Sequence, residues 1–187
     1  RKAEQSGKTV MLAEHMDEVG LMVTGINDEG FLRFDSVGGL DRRVIIAQHV
    51  FVGDNAIPGV VCAKPRHLVS EEEGKKIPKL EDMLIDIGCS SREEAEKLTE
   101  KGDVIVFDGS VSHLQGGFIK AKAIDDRVGC AVLTKLIEER PPVDTWFVFT
   151  VQEEVGLRGA FGAAFARKPD CALVIEGTTA ADRPDMK

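Results

Sequence analysis

From about residue 110 onward, short apolar runs of strand length alternate with segments of helical period, and this alternation constrains the fold more than any other feature. FIKAKAI reads as a strand. DDRVGCAVLTKLIEER reads as a helix, with Val128, Val132 and Leu136 at helical spacing and a Pro-Pro pair to stop it. TWFVFTV reads as a buried strand, GLRGAFGAAFARK as a helix rich in small residues, and CALVI as another buried strand. Far upstream, TVMLA forms a further strand, followed at once by the polar cluster EHMDE. A β-α-β-α-β order predicts a mostly parallel sheet with right-handed crossovers, hence an α/β fold.

Residues 19–109 follow a different pattern. VGLMVTGINDEGFLRF predicts two strands around Asn-Asp-Glu-Gly, and FVGDNAIPGVVCAKP two more around Ile57-Pro58-Gly59. SSREEAEKLTEKGD predicts one helix, opened by Ser91 with Glu94 as a capping box and closed near Gly102. The chain therefore divides into a core of residues 1–18 and 110–187, split in sequence, and a β-rich module of residues 19–109. Such a module is expected to present exposed strand edges or apolar patches to another copy of the chain.

Composition narrows the function classes. With 187 residues, 43% hydrophobic, 30% charged and a net charge of −8, the sequence is that of a globular protein with no basic stripe for nucleic acid. Apolar runs such as Trp146 to Val151 are too short to span a membrane, and nothing resembles a signal peptide, which points to the cytoplasm. The four cysteines are scattered singly, which predicts reduced, mostly buried thiols rather than a structural zinc site.

Ligands of open parallel sheets bind beyond the carboxyl ends of the strands, and the polar clusters of this sequence fall there. His15 and Asp17 follow TVMLA, Asp125 and Asp126 follow FIKAKAI, Glu153 and Glu154 follow TWFVFTV, and Glu176 follows CALVI. So many carboxylates on one rim repel unless a cation neutralises them. An imidazole among carboxylate oxygens suits zinc, cobalt or manganese better than calcium. Each piece alone also has an ordinary reading: a surface loop for H-x-D, a helix cap for one aspartate of the Asp125-Asp126 pair, a solvated turn for the glutamates.

AEHMDEVGLMV, KAIDDRVGCAVL, VQEEVGLRGA and LVIEGTTAADRP, in this order, resemble the glutamyl aminopeptidase and tetrahedral (TET) aminopeptidase family of dinuclear metallopeptidases, whose members are often labelled cellulase M or endoglucanase M. The resemblance implies an α/β metallopeptidase core of phosphorylase/hydrolase-like type, with residues 19–109 as an insertion that assembles dimers into dodecamers. It also implies two divalent ions per subunit. His15 and Glu176 would bind one, Glu154 the other, Asp125 both; Glu153 would be the general base and Asp17 would orient His15. Glu176 stands where the family commonly has Asp, and no His follows His113 to serve as the family's downstream ligand. The chain is thus expected to be the middle portion of a longer protein, inactive by itself.

The chemistry expected is hydrolysis of N-terminal residues from peptides. Two ions would polarise a carbonyl and lower the pKa of a bound water, and Glu153 would take its proton. The rival readings are an endoglucanase, for which adjacent glutamates do not obviously flank a scissile bond and one Trp with no Tyr gives few sugar platforms, and an inactive assembly fragment.

Overall fold

The computed structural model describes residues 7–181 and residue 185. The chain forms two compact units, one of Arg1–Glu18 with Ala123–Lys187, the other of Val19–Lys122.

β1 (Thr9–His15) opens the first unit, and its far end is the most enclosed: Met11, Ala13, Glu14 and His15 are all buried. The second unit then runs through β2 (Gly20–Ile26), β3 (Leu32–Val37), α1 (Arg42–Ile45), β4 (His49–Val52), β5 (Ile57–Ala63), β6 (Met83–Asp86), α2 (Arg92–Ala95) and β7 (Val104–Phe107). Its strands close into an antiparallel barrel in the order β2-β3-β6-β5-β4-β7. Alternation decides what fills it: Leu21 and Val23, Leu32 and Phe34, and Val50 and Val52 point inward, while Met22, Arg33 and Asp35 between them are exposed. Closure leaves no free edge among these six strands, contrary to the expectation of edges available for pairing.

Two local expectations for this unit need correction. The turn between β4 and β5 lies at Gly53–Ala56, closed by Ala56 N–H donating to Gly53 O at 3.0 Å, and Pro58 and Gly59 belong to β5. The charged helix is a single turn: Ser91 Oγ accepts from Glu94 N at 3.3 Å and Glu94 Oε2 from Ser90 N at 2.8 Å, but regular helix ends at Ala95.

After the barrel, β8 (Ser112–His113) and β9 (Ile119–Lys120) form a two-stranded antiparallel arm. FIKAKAI is therefore not a strand of the parallel sheet. Its alternation satisfies a strand period, yet Phe118 and Ile119 are exposed and too few residues pair to build a sheet face.

The first unit resumes with α3 (Ile124–Glu139), β10 (Asp144–Thr150), α4 (Arg158–Arg167) and β11 (Cys171–Val174). β1 is the central strand, parallel to both β10, from Thr9↔Asp144 to His15↔Thr150, and β11. The buried side of α3 carries Gly129, Leu133 and, half-buried, Cys130 and Leu136; Val128 and Val132 lie on the exposed side instead. Three strand ends and one helix start, rather than four strand ends, thus supply the candidate site.

Candidate metal centre

His15 ends β1 and is 2% exposed. Its Nδ1 lies 3.1 Å from the Asp17 carbonyl oxygen and 3.5 Å from Asp17 Oδ1. Both are acceptors and would receive a hydrogen carried on Nδ1; a neutral ring in that tautomer would present its lone pair at Nε2. Nε2 faces Asp125 Oδ1 at 3.2 Å, Glu176 Oε1 at 3.4 Å and Glu153 Oε2 at 4.0 Å. A lone pair cannot face three carboxylates without something positive between them, either protons or a cation.

The electrostatics of these side chains by themselves favour protons. Burial pulls the His15 imidazole down, but the hydrogen bond to Asp125 and the charges of Glu176, Glu153 and Asp17 together hold it above its ordinary value. Burial raises Glu176, and its hydrogen bond with Asp125 raises it further. Burial and then the neighbouring Glu153 raise Glu154. Each of these shifts favours the protonated form of its group, the sense expected where a cation could take the place of protons.

The donor set fits a divalent ion. His15, Asp126 and Glu176 each offer an atom within 4.8 Å of the others, as do His15, Glu153 and Glu154. Mixed imidazole and carboxylate donors of this kind suit zinc, cobalt or manganese. Asp126 is fully buried, and its Oδ2 has no hydrogen-bond partner among the described residues.

Local chain geometry explains the placement. Asp125 and Asp126 have non-helical dihedrals, so regular helix begins at Arg127, and Asp126 Oδ1 accepts from Gly129 N at 3.1 Å as an N-cap. A Cβ on Gly129 would sit 2.3 Å from Asp126 Oδ2, so the cap requires glycine there. Capping turns Asp126 inward and leaves Asp125, 60% exposed, toward His15. Beyond β10, Gln152 adopts φ 63, a costly conformation for a non-glycine residue, immediately before the glutamate pair.

The structure thus brings together His15, Asp125, Glu153, Glu154 and Glu176, with Asp17 beside them. Two features go beyond the sequence reading. The Asp17 carboxylate accepts from Glu153 N at 3.2 Å and Glu154 N at 3.3 Å, so it holds the glutamate turn as well as lying near His15. Asp126 joins the ligand grouping, for which the doubled Asp before a helix was the available signal.

By fold the chain is an α/β protein of aminopeptidase type. It superposes on an aminopeptidase from the archaeon Desulfurococcus kamchatkensis with a TM-score of 0.91 and 42% identity, over 99% of this chain and 52% of that one. The TET1 peptidase of Pyrococcus horikoshii, described as assembling into a tetrahedron or a large octahedral shell, matches with a TM-score of 0.83 and 39% identity, over 94% of this chain and 54% of that one. A putative aminopeptidase of Acetivibrio thermocellus is 48% identical over 181 residues, 96% of this chain and 53% of its own length. The chain belongs to the M42 glutamyl aminopeptidase family, whose model matches residues 1–187. It spans about half the length of the relatives it matches.

Proposed function

We propose that this chain carries the metal site of a metal-dependent aminopeptidase that removes N-terminal residues from peptides. The observation that carries the reading is the convergence of Asp125, Glu176 and Glu153 on His15 Nε2 within 4.0 Å. In this reading His15 and Glu176 would hold one divalent ion and Glu154 a second, with Asp125 serving both; zinc, cobalt or manganese would suit these donors. When bound, the ions supply Lewis acidity and make water a nucleophile at neutral pH.

The chain's own residues do the rest. Glu153 is the general base: its carboxylate collects a proton from the attacking water and returns it to the leaving amine. Asp17 positions it, because the same carboxylate that lies beside the His15 ring fixes the Glu153 and Glu154 amides. The missing downstream His leaves the second ion short of a ligand in this chain, so the isolated chain is proposed to be inactive.

The same reading makes the protein a cytoplasmic self-assembling enzyme. All four cysteines are free, as expected in a reducing compartment, and no helix among the described residues is long and apolar enough to cross a membrane. Self-association is proposed through residues 19–109, the module read as an insertion into the peptidase core, together with the arm of β8 and β9 that follows it in the same compact unit, where Val111, Leu114, Phe118 and Ile119 are all more than half exposed.

Metal analysis of the intact protein, with hydrolysis of aminoacyl and cellulosic substrates before and after chelation, tests the function. Chelation-sensitive release of N-terminal residues is expected. Cellulose hydrolysis without peptide hydrolysis would overturn it.

A further inference from the structure

One buried ionisable residue of the α/β unit has no part in the reaction above. Glu14 precedes His15 on β1 and is 2% exposed, yet neighbouring side chains of a strand point to opposite faces, so it faces away from the cluster at His15 Nε2. Its Oε2 accepts a hydrogen bond from Cys130 Sγ at 3.0 Å, and the same sulfur lies 3.6 Å from the His15 carbonyl oxygen. Cys130 is on the buried side of α3, one turn after the Asp126 cap that turns Asp125 toward His15. On the other flank, the Glu14 carbonyl oxygen accepts from Thr150 Oγ1 at 3.0 Å, at the end of β10 just before the glutamate turn.

We propose, on the reading of the site as a metal centre, that Glu14 is a positioning residue: through Cys130 it fixes the end of β1 against the first turns of α3, and so sets the separation of His15 from Asp125. Cys130 Sγ is placed as the donor and Glu14 Oε2 as its acceptor. A buried hydrogen bond between two elements holds one geometry, whereas an apolar contact of equal volume leaves the elements free to slide. Residues that orient metal ligands from behind change cation affinity by roughly ten- to a hundredfold when removed.

Glu14 Oε1 and Asp126 Oδ2 are both buried acceptors without a partner among the described residues. This defines the informative substitutions. Glu14→Gln keeps the oxygen that Cys130 needs and replaces the unpartnered acceptor by an N–H donor. Glu14→Leu keeps the volume and loses the acceptor altogether.

The test is cobalt binding to the intact protein, followed by visible absorption and calorimetry, for Glu14→Gln, Glu14→Leu, Cys130→Ser and Cys130→Ala. We expect Glu14→Gln and Cys130→Ser to bind within a fewfold of the unsubstituted protein. Glu14→Leu and Cys130→Ala should each weaken cobalt roughly tenfold or more and alter its absorption spectrum, and combining them should cost little beyond either alone. Unchanged affinity and spectrum in Glu14→Leu would overturn the proposal by making Glu14 a filler of space. Equal losses in Glu14→Gln and Glu14→Leu would overturn it by making the buried charge the operative feature. If the unsubstituted protein binds no cobalt, the metal reading of the site fails instead, independently of Glu14. Cys130→Ser guards against misfolding, since it changes one atom and preserves the donor.

Discussion

The two units bury different mixtures of side chain. The barrel interior is a continuous cluster of apolar residues, among them Leu21, Leu32, Val52, Val61, Met83, Ile85 and Ile105, each no more than 1% exposed. Among the described residues the α/β unit buries Met11, Ala13 and Leu133, and alongside them Glu14, His15, Asp126 and Thr150. Buried apolar area stabilises by itself, at about 25 cal/mol per Å². Buried carboxylates are costly unless protons, donors or a cation compensate them. One unit is therefore stabilised by its apolar interior, whereas the buried carboxylates of the other call for protons, donors or a cation.

The largest expected effect lies in the α/β unit and leaves its stability nearly untouched. Glu153→Gln preserves size and hydrogen bonding but removes the proton acceptor, so turnover of an aminoacyl substrate should fall about a hundred- to ten-thousandfold while bound metal is retained. Glu154→Gln should instead weaken metal binding, and excess ion should partly restore its activity. Metal content and rate across a metal titration of the intact protein separate the two. Loss of metal in the Glu153 variant, with recovery in excess ion, would exchange the roles of these neighbours.

In the barrel the corresponding single change acts on stability alone. Ile85 is fully buried and packs inside the closed sheet, so Ile85→Ala should destabilise the barrel by about 2–5 kcal/mol, the sum of lost transfer energy and the cavity left behind. Hydrogen exchange of barrel amides is the measurement. A loss below about 1 kcal/mol would mean that the barrel collapses around the gap and is less rigid than its closure suggests.

The contrast between the units also governs what was legible in the sequence. Continuous apolar runs gave β1, β10 and β11 as strands, although β10 is only partly covered and all four residues of β11 are exposed where burial was expected, and the polar residues just past them gave His15, Glu153, Glu154 and Glu176 as neighbours. Period alone misassigned FIKAKAI, because an alternating run does not say which sheet, if any, will pair with it. Pro58-Gly59 looked like a turn and is a strand, since Gly53–Ala56 already closes the hairpin. Contacts between distant residues were out of reach altogether. Asp17 lies 136 residues from the Glu153 amide it accepts from, and Glu14 beside His15 reads in sequence as one more exposed acid.

A smaller effect tests whether the glutamate turn is as exactingly placed as the barrel core. Gly159 lies where α4 meets the end of β10: its N–H donates to Val151 O at 3.1 Å, and a Cβ there would stand 2.3 Å from Val151 O and 2.8 Å from Val151 N. Both obstacles are backbone, so the helix or the turn must move. Gly159→Ala should cost about 1–3 kcal/mol as an overpacked contact and should also weaken metal binding, because Glu153 and Glu154 ride on the displaced segment. Unchanged thermal unfolding together with unchanged metal affinity would show that the turn tolerates displacement.

The smallest expected effect is a slope, and its sign differs between the units. In the α/β unit, burial foremost raises Glu14, Glu154 and Glu176 above their ordinary 4.5, and the carboxylates around His15 outweigh its burial to raise it above 6.5. A raised pKa means that the folded state binds the proton more tightly than the unfolded state. Each group's contribution is then complete below its ordinary value and is lost as pH climbs through the folded one. The shifted carboxylates of the barrel unit run the other way. Asp41 is lowered to about 2 by Arg43, and Glu81 is lowered by Lys79, so their contributions are lost as pH falls. Both are exposed, which keeps them small and sensitive to salt. In the α/β unit Asp170 is also lowered, by its hydrogen bonds from Thr9, and opposes the trend there as a single exposed group. The only Trp of the sequence, Trp146, lies in β10, so its fluorescence reports the α/β unit. With chelator present, the unfolding transition seen by Trp146 should move to lower temperature as pH rises from about 4.5 to beyond the imidazole range. A divalent ion binds the deprotonated ligands, so with zinc or cobalt in excess the same transition should move to higher temperature over the upper part of that range. A chelated protein whose Trp146 transition rises with pH would mean that these buried groups carry no excess of protons, and the cation would then not be needed to offset their charge.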